Sequence, residues 1–166
     1  MQVRNIPNKY NQQLLLDEVN VNHEGTYDFF YLPIDFKNHC NVGYCFINFV
    51  DPKFIPPFVK EFNGQKWRSF NSEKICSITF ARIQGKAAMI SRFQNSSLLY
   101  KDDEYRPLLF YSTGPDKGKP EPFPVGNRFR NTPNSFVNGF GTALSNNSNV
   151  HLSPQTVLQE DIPFHT

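Results

Sequence analysis

The fold is decided by the stretch Val42-Gly43-Tyr44-Cys45-Phe46-Ile47-Asn48-Phe49. Aromatic and β-branched residues dominate this stretch, and they predict a β-strand over residues 42–50. Because side chains alternate between the two faces of a strand, Tyr44 and Phe46 share one face and Cys45, Ile47 and Phe49 share the other. We expect the second set to pack against helices, which leaves the two rings on the opposite face of the sheet.

The segments on either side of this strand predict an alternating order of strands and helices. Further strands are predicted at 2–6, 27–34 and 74–81, and helices at 11–18 and 51–62. Asn11 is the predicted N-cap of the first helix, and Asp51-Pro52 predicts the start of the second, with an irregular first turn before Pro56-Pro57. The order predicts an α+β, ferredoxin-like βαββαβ fold, with a four-stranded antiparallel sheet and two helices on one face.

The C-terminal part of the chain continues beyond this unit. A third helix is predicted at 85–94, and residues 105–111 predict an extra strand or an extended strap. From residue 127 the chain is rich in Asn and Ser without regular periodicity, which predicts disorder. We therefore expect a domain at 1–96, an extension at 97–126 packed on that domain, and a disordered tail at 127–166. The scattered Phe residues of the tail are either isolated aromatics, which is the favoured interpretation, or short docking motifs for protein partners.

Several functional classes are excluded by composition. No run approaches the roughly 18 apolar residues that a membrane span requires, and a net charge of +2 is too small for a polybasic peptide. Three cysteines without CxxC spacing favour a reducing compartment, so we expect the nucleus and the cytoplasm. His39, Cys40 and Cys45 lack the paired spacing of a zinc site, and no catalytic signature is present. We expect no metal, no cofactor and no enzymatic activity.

The stretch at 42–49 resembles the octapeptide of the RNA recognition motif. Gly43, Tyr44, Phe46 and Phe49 match its pattern, while Val42 replaces its basic residue. The resemblance implies that Tyr44 and Phe46 stack on the bases of single-stranded RNA. The alternative is that both rings are buried, for example beneath the C-terminal helix, which either extends the binding groove or caps the sheet.

Other predicted RNA contacts lie on the first strand and after the fourth. Gln2 occupies the aromatic position of the companion hexapeptide, and Asn5 lies in its second half. Between residues 66 and 92 six basic residues stand against one acidic residue, and Arg82, Gln84 and Lys86 leave the fourth strand there. The sequence does not determine which face of the second strand points away from the helices. That face carries either Phe29, Tyr31 and Pro33 or Phe30, Leu32 and Ile34.

Longer runs resemble the C-terminal RNA recognition motif of the Mei-two-like family of meiosis regulators. They are NIPNKY at 5–10, YDFFYLPIDFKN at 27–38, CNVGY at 40–44, FNG at 62–64, FNSEK at 70–74, ARIQGK at 81–86, FQNS at 93–96, RP at 106–107 and PFP at 122–124. The resemblance implies a non-enzymatic RNA-binding protein in the post-transcriptional regulation of meiotic entry, and a chain that is a fragment or short form. The alternative is a protein-interaction module that uses the same sheet face or the C-terminal extension.

Overall fold

A computed structural model describes residues 1–124. The strands are β1 (Gln2–Arg4), β2 (Tyr27–Tyr31), β3 (Ile34–Asp35), β4 (Cys40–Asn41), β5 (Tyr44–Phe49), β6 (Ser77–Thr79), β7 (Leu108–Phe110) and β8 (Pro120–Glu121). The helices are α1 (Gln12–His23), α2 (Ile55–Phe62) and α3 (Lys86–Phe93), with 3-10 turns at Pro52–Phe54, Ser97–Tyr100 and Asp103–Tyr105. The tail predicted from residue 127 lies outside the described residues.

The main sheet has six antiparallel strands in the order β6-β1-β5-β2-β7-β8. Its first four strands are the predicted ones, so the predicted α+β arrangement is present. The remaining two strands come from the C-terminal extension, where β7 pairs with β2 and so lengthens the predicted four-stranded sheet. The segment between β2 and β5 contains a separate two-stranded hairpin of β3 and β4.

The first two predicted helices begin where their caps indicate. The side chain of Asn11 accepts a hydrogen bond from the backbone of Leu14, and α1 continues past the predicted end because Val19 and His23, four residues apart, are both buried. Asp51 caps the 3-10 turn at Pro52–Phe54, which is the irregular first turn expected before α2. Phe58 and Phe62 then bury the inner face of α2.

One face of the sheet packs against α1 and α2. The side chains that form this core are Val3, Leu15, Leu16, Val19, Phe30, Leu32, Cys45, Ile47, Phe58 and Phe62. Phe30 and Leu32 therefore face the core, whereas Phe29 and Tyr31 lie on the opposite face, which resolves the orientation of β2. The strand is buried along its whole length, and its register with β5 shifts between Tyr27 and Phe29.

The third helix lies on the face opposite α1 and α2. The Phe93 ring centroid is 5.8 Å from that of Phe29 and 5.1 Å from that of Tyr31, and Met89, one turn earlier, is also buried. Of the two alternatives for the C-terminal helix, capping of the sheet describes its β2 side, which α3 covers. No helix within residues 1–124 is long and apolar enough to cross a membrane.

Candidate nucleic-acid interface

The part of the sheet face that α3 leaves accessible lies on β1, β6 and the start of β5. We call it the uncovered face, and it consists of Gln2, Arg4, Tyr44, Ser77 and Thr79. Arg4 is opposite Tyr44 on one side and Ser77 on the other, so three side chains form a row across three strands. Arg4 is exposed, and Tyr44 and Ser77 are partly exposed. A second row places Gln2 beside Thr79.

Tyr44 and Phe46 differ in their accessibility. Phe46 is 3% exposed, and its ring meets that of Tyr44 edge to face, with the centroids 5.5 Å apart. Phe46 is also opposite Tyr31, which packs against Phe93 of α3. A base can therefore reach Tyr44 but not the face of Phe46 in this conformation, and stacking on Phe46 stays a prediction that requires a rearrangement there.

Partial burial raises the pKa of the Tyr44 hydroxyl above its ordinary value. The phenol is therefore neutral at pH 7. A neutral hydroxyl keeps its proton and can donate a hydrogen bond, for example to a phosphate or to the edge of a base. The ring also carries no negative charge that would repel a nucleic acid.

Lys86 and Gln84 already have partners inside the protein. The Lys86 ammonium forms an ion pair with Glu121 and donates hydrogen bonds to the carbonyl of Phe110 at 2.7 Å and to the hydroxyl of Ser112 at 3.3 Å. The Gln84 side chain donates to the backbone of the same segment. Contacts of these two residues with RNA stay predictions, and each would require an internal bond to be exchanged.

Asn5 also has a clear internal role. Its side-chain amide donates to the Ile75 carbonyl at 2.9 Å, and its own carbonyl accepts a hydrogen bond from the Trp67 indole at 2.8 Å. Its φ of 61° is in the left-handed region that Asn tolerates better than most residues. Asn5 thus turns the chain at the end of β1 and holds it to the segment before β6, and an RNA contact by Asn5 remains a prediction.

Four residues beside or within this surface were not among the sequence candidates, namely Arg4, Ser77, Thr79 and Phe80. Arg4 shares the face of Tyr44, and the alternation of β1 was the signal that could have found it. Phe80 is 76% exposed and directly follows β6. The predicted strand at 74–81 included Phe80 as a regular strand residue, whereas β6 ends at Thr79. Phe80 and Arg82 are thus both exposed residues of the linker between β6 and α3.

The basic segment at 66–92 is partly neutralised by the folded chain. Lys66 pairs with Glu73 at 2.7 Å, and Arg68 pairs with Glu61 at 2.7 Å. The Arg92 guanidinium lies 5.8 Å from the ring centroid of Phe93. Because Glu73 is already the one acidic residue of the count, the ion pairs of Arg68 with Glu61 and of Lys86 with Glu121 are what lower the charge further. The sequence count alone overstated the charge that this segment offers to a ligand.

The order β6-β1-β5-β2, with α1 and α2 on one face, is the ferredoxin-like arrangement, and a family match identifies this domain as an RNA recognition motif, a class of RNA-binding domains rather than of enzymes. The chain belongs to the family RNA recognition motif 2, whose model matches residues 1–94. The predicted relationship to Mei-two-like proteins is confirmed by the relatives described next.

The chain is 61% identical over 130 residues to Protein MEI2-like 3 of Oryza sativa subsp. japonica, covering 78% of this chain and 14% of that protein. It is 48% identical over 166 residues to Protein MEI2-like 1 of Arabidopsis thaliana, and this match covers 100% of this chain and 18% of that protein. It is 52% identical over 128 residues to Meiosis protein mei2 of Schizosaccharomyces pombe, and this match covers 77% of this chain and 17% of that protein. The chain thus spans less than a fifth of the length of these relatives.

Among solved structures, the Rna15 RRM with bound RNA (GU) matches with a TM-score of 0.41 and 18% sequence identity. This match covers 49% of the present chain and 80% of the Rna15 chain.

Proposed function

We propose that this domain binds single-stranded RNA on the uncovered face. The observation that carries the proposal is the row Ser77–Arg4–Tyr44, in which a partly exposed ring lies beside an exposed guanidinium on adjacent strands. Unpaired bases stack on tyrosine, and arginine binds phosphate or stacks on the next base. Every member of the uncovered face is neutral or basic, so none of them repels a phosphate backbone.

The polar members of the uncovered face supply hydrogen bonds for recognition. The hydroxyl groups of Ser77 and Thr79 and the amide of Gln2 offer both donors and acceptors to base edges and to ribose 2′-hydroxyls. Gln2 cannot replace the missing stacking ring on β1. Phe80 and Arg82, just beyond β6, add a ring and a positive charge near the same edge of the sheet. We infer a short binding site with one principal stacking position, at Tyr44.

We further propose that this protein acts in post-transcriptional regulation of meiotic entry, in the nucleus and cytoplasm. The support is the similarity to Meiosis protein mei2, of which the chain covers 17%. A full-length protein that carries Tyr44→Ala should fail to support meiotic entry while its abundance is unchanged. Normal meiosis with that variant would contradict the proposal.

The binding proposal is tested by fluorescence anisotropy with the full chain and a random pool of short, labelled single-stranded RNAs at two salt concentrations. Tyr44→Ala should weaken binding by roughly 5- to 150-fold, since stacking on one ring is worth about 1–3 kcal/mol. Tyr100→Ala, an exposed tyrosine outside the sheet, is the matched control and should bind like the wild type. Circular dichroism checks that each variant is folded.

The logarithm of the affinity for RNA should fall linearly as the logarithm of the salt concentration rises. If the wild type and a folded Tyr44→Ala variant bind RNA equally well, the RNA-binding site does not lie on the uncovered face. Absence of binding by the wild type at low salt would overturn RNA binding and favour the protein-interaction module.

A further inference from the structure

A cleft of about 330 Å³ opens beside the end of β1, outside the uncovered face. The loop that follows β1 forms one wall, and the segment that precedes β6 forms the other. Its lining residues are Pro7, Asn8, Lys9, Phe70, Asn71, Ser72 and Lys74. The RNA-binding surface proposed above does not include this cleft, and the lining includes two ammonium groups and no carboxylate.

The lining groups are those that a nucleotide requires. Phe70 offers a ring for a base, and Asn8 and Asn71 offer amides that both donate and accept hydrogen bonds at base edges. Lys9 and Lys74 offer positive charge to a phosphate. A hydrophobic ligand would leave the amides and ammonium groups without partners, and an acidic peptide would not need the ring. The combination therefore favours a base together with its phosphate.

The positions of these groups are held by bonds within the protein. The Lys74 ammonium donates to the carbonyl of Ile6 at 3.3 Å and to the side-chain oxygen of Asn8 at 3.0 Å, so it links the two walls of the cleft. An ammonium has three N–H donors, and these two bonds leave one for a ligand. The Phe70 ring is packed edge to face against Tyr10, with centroids 5.0 Å apart. Lys74 and Phe70 are therefore held in place before a ligand binds.

The cleft continues the two strands that carry the uncovered face. Arg4 ends β1, Asn5 turns the chain, and the cleft wall begins at Pro7. On the other side, Lys74 lies three residues before Ser77, the residue opposite Arg4. The cleft therefore lies within a few residues of Arg4 and Ser77 along both strands, at the end of the sheet where β1 stops.

We propose that the cleft is a second nucleotide-binding subsite for the same single-stranded RNA. It receives one base against Phe70 and an adjacent phosphate against Lys9 and Lys74. This proposal rests on the proposed function, because the sheet binds the neighbouring nucleotides. It predicts that substitutions in the cleft change the affinity only for an RNA long enough to extend past the sheet.

The test uses the full chain and random pools of single-stranded RNA of two lengths, about four and about ten nucleotides. The double variant Lys9→Ala/Asn71→Ala changes two exposed side chains of the cleft. It should weaken binding of the longer RNA by roughly five- to tenfold and leave the shorter RNA unaffected. Loss of one phosphate contact should also lower the slope of log affinity against log salt by about 0.7 for the longer RNA only.

Two further variants separate the outcomes. Phe70→Leu should also weaken the longer RNA selectively, whereas Lys37→Ala, an exposed lysine that does not line the cleft, should change neither RNA. If the cleft variants bind the longer RNA like the wild type while Tyr44→Ala does not, the subsite is overturned and the proposed function stands. An equal loss for both lengths would indicate general charge attraction and would also overturn the subsite. If the wild type binds neither RNA, the proposed function itself fails.

Discussion

At the scale of single residues, Asn41 joins the loop that follows β1 to the start of β5. Its amide nitrogen donates to the carbonyls of Pro7 at 2.7 Å and Tyr10 at 2.9 Å, and its oxygen accepts from the backbone of Gly43 at 2.8 Å. The side chain is buried, so these backbone groups depend on it. It therefore holds the loop that forms one wall of the cleft against the start of β5.

Replacing Asn41 by Ala should lower the free energy of unfolding by roughly 2–4 kcal/mol, because buried polar groups lose their partners. Urea denaturation of the full chain measures this change. Asn38→Ala in the same hairpin removes one exposed hydrogen bond to Asp35 and should cost less than about 1 kcal/mol. Equal effects of the two substitutions would contradict the structural role of Asn41.

Glu61 makes stability depend on pH. Burial of its carboxylate alone would raise its pKa, but hydrogen bonds from Asn22, Arg68 and His23 together outweigh burial, so the pKa lies below its ordinary value of 4.5. The charged form is thus stabilised in the folded protein, and this stability is present above pH 4.5 and is lost as the pH falls through the lowered pKa. The urea midpoint should decrease on acidification.

A Glu61→Gln variant should be less stable than the wild type at pH 7 and should lose less stability between pH 7 and pH 3. Glu73→Gln is the control, since Glu73 is an exposed partner of Lys66 and its contribution is screened by solvent. An unchanged pH dependence in Glu61→Gln would show that other carboxylates account for the acid sensitivity.

At the scale of secondary-structure elements, α3 is held at its N-terminus by a network that includes the sheet and the extension. The Gly85 amide donates to Asn48 at 3.1 Å, and Asn48 donates to Asp28 at 2.8 Å. Ser112 donates to the other oxygen of Asp28 and also accepts from Lys86. The position of α3 over the rings of β2 therefore depends on polar residues from four separate segments.

Lys86→Met should release this end of α3 while preserving the aliphatic part of the side chain. Backbone amides at 86–93 should then exchange with solvent roughly tenfold faster or more, since hydrogen bonds to a charged group are worth about 1.5–3 kcal/mol. Hydrogen–deuterium exchange mass spectrometry measures this change. Lys119→Met breaks an exposed ion pair with Asp116 and should leave that segment unchanged. Unaltered exchange in Lys86→Met would exclude the network as the anchor of α3.

At the scale of the whole molecule, we propose that residues 97–124 belong to the same cooperative unit as residues 1–96. Leu109 and Phe110 of β7 are buried, and β7 pairs with β2 at Phe29 and Phe30. The extension also supplies Glu121, the partner of Lys86. Without it, the edge of β2 and one anchor of α3 would both be exposed.

A chain that ends at residue 96 should therefore melt at least roughly 10 °C below one that ends at residue 124. Burial of Leu109 and Phe110 alone is worth about 1.5–3 kcal/mol each, and each kcal/mol shifts the melting temperature of a small domain by several degrees. Differential scanning calorimetry measures both chains. Equal melting temperatures would show that the extension is an independent addition.

The order of strands and helices, the capped starts of α1 and α2 and the face shared by Tyr44 and Phe46 were all determined by the sequence. Each depends on residues within a few positions of one another, such as Asn11 and Leu14. Local periodicity and capping signals therefore predict these features. The family relationship was equally accessible, because its motifs are continuous runs.

Only the tertiary structure decided which rings are accessible. The strand YDFFY at 27–31 has apolar residues on both faces, so alternation could not orient it, and its outer face is covered by Phe93 from α3. The internal role of Lys86 depends on Glu121, and the cleft forms where Pro7–Lys9 meets the segment before β6. Such pairings join residues far apart in the chain, and a side chain's exposure is set by what packs on it rather than by its own neighbours in sequence.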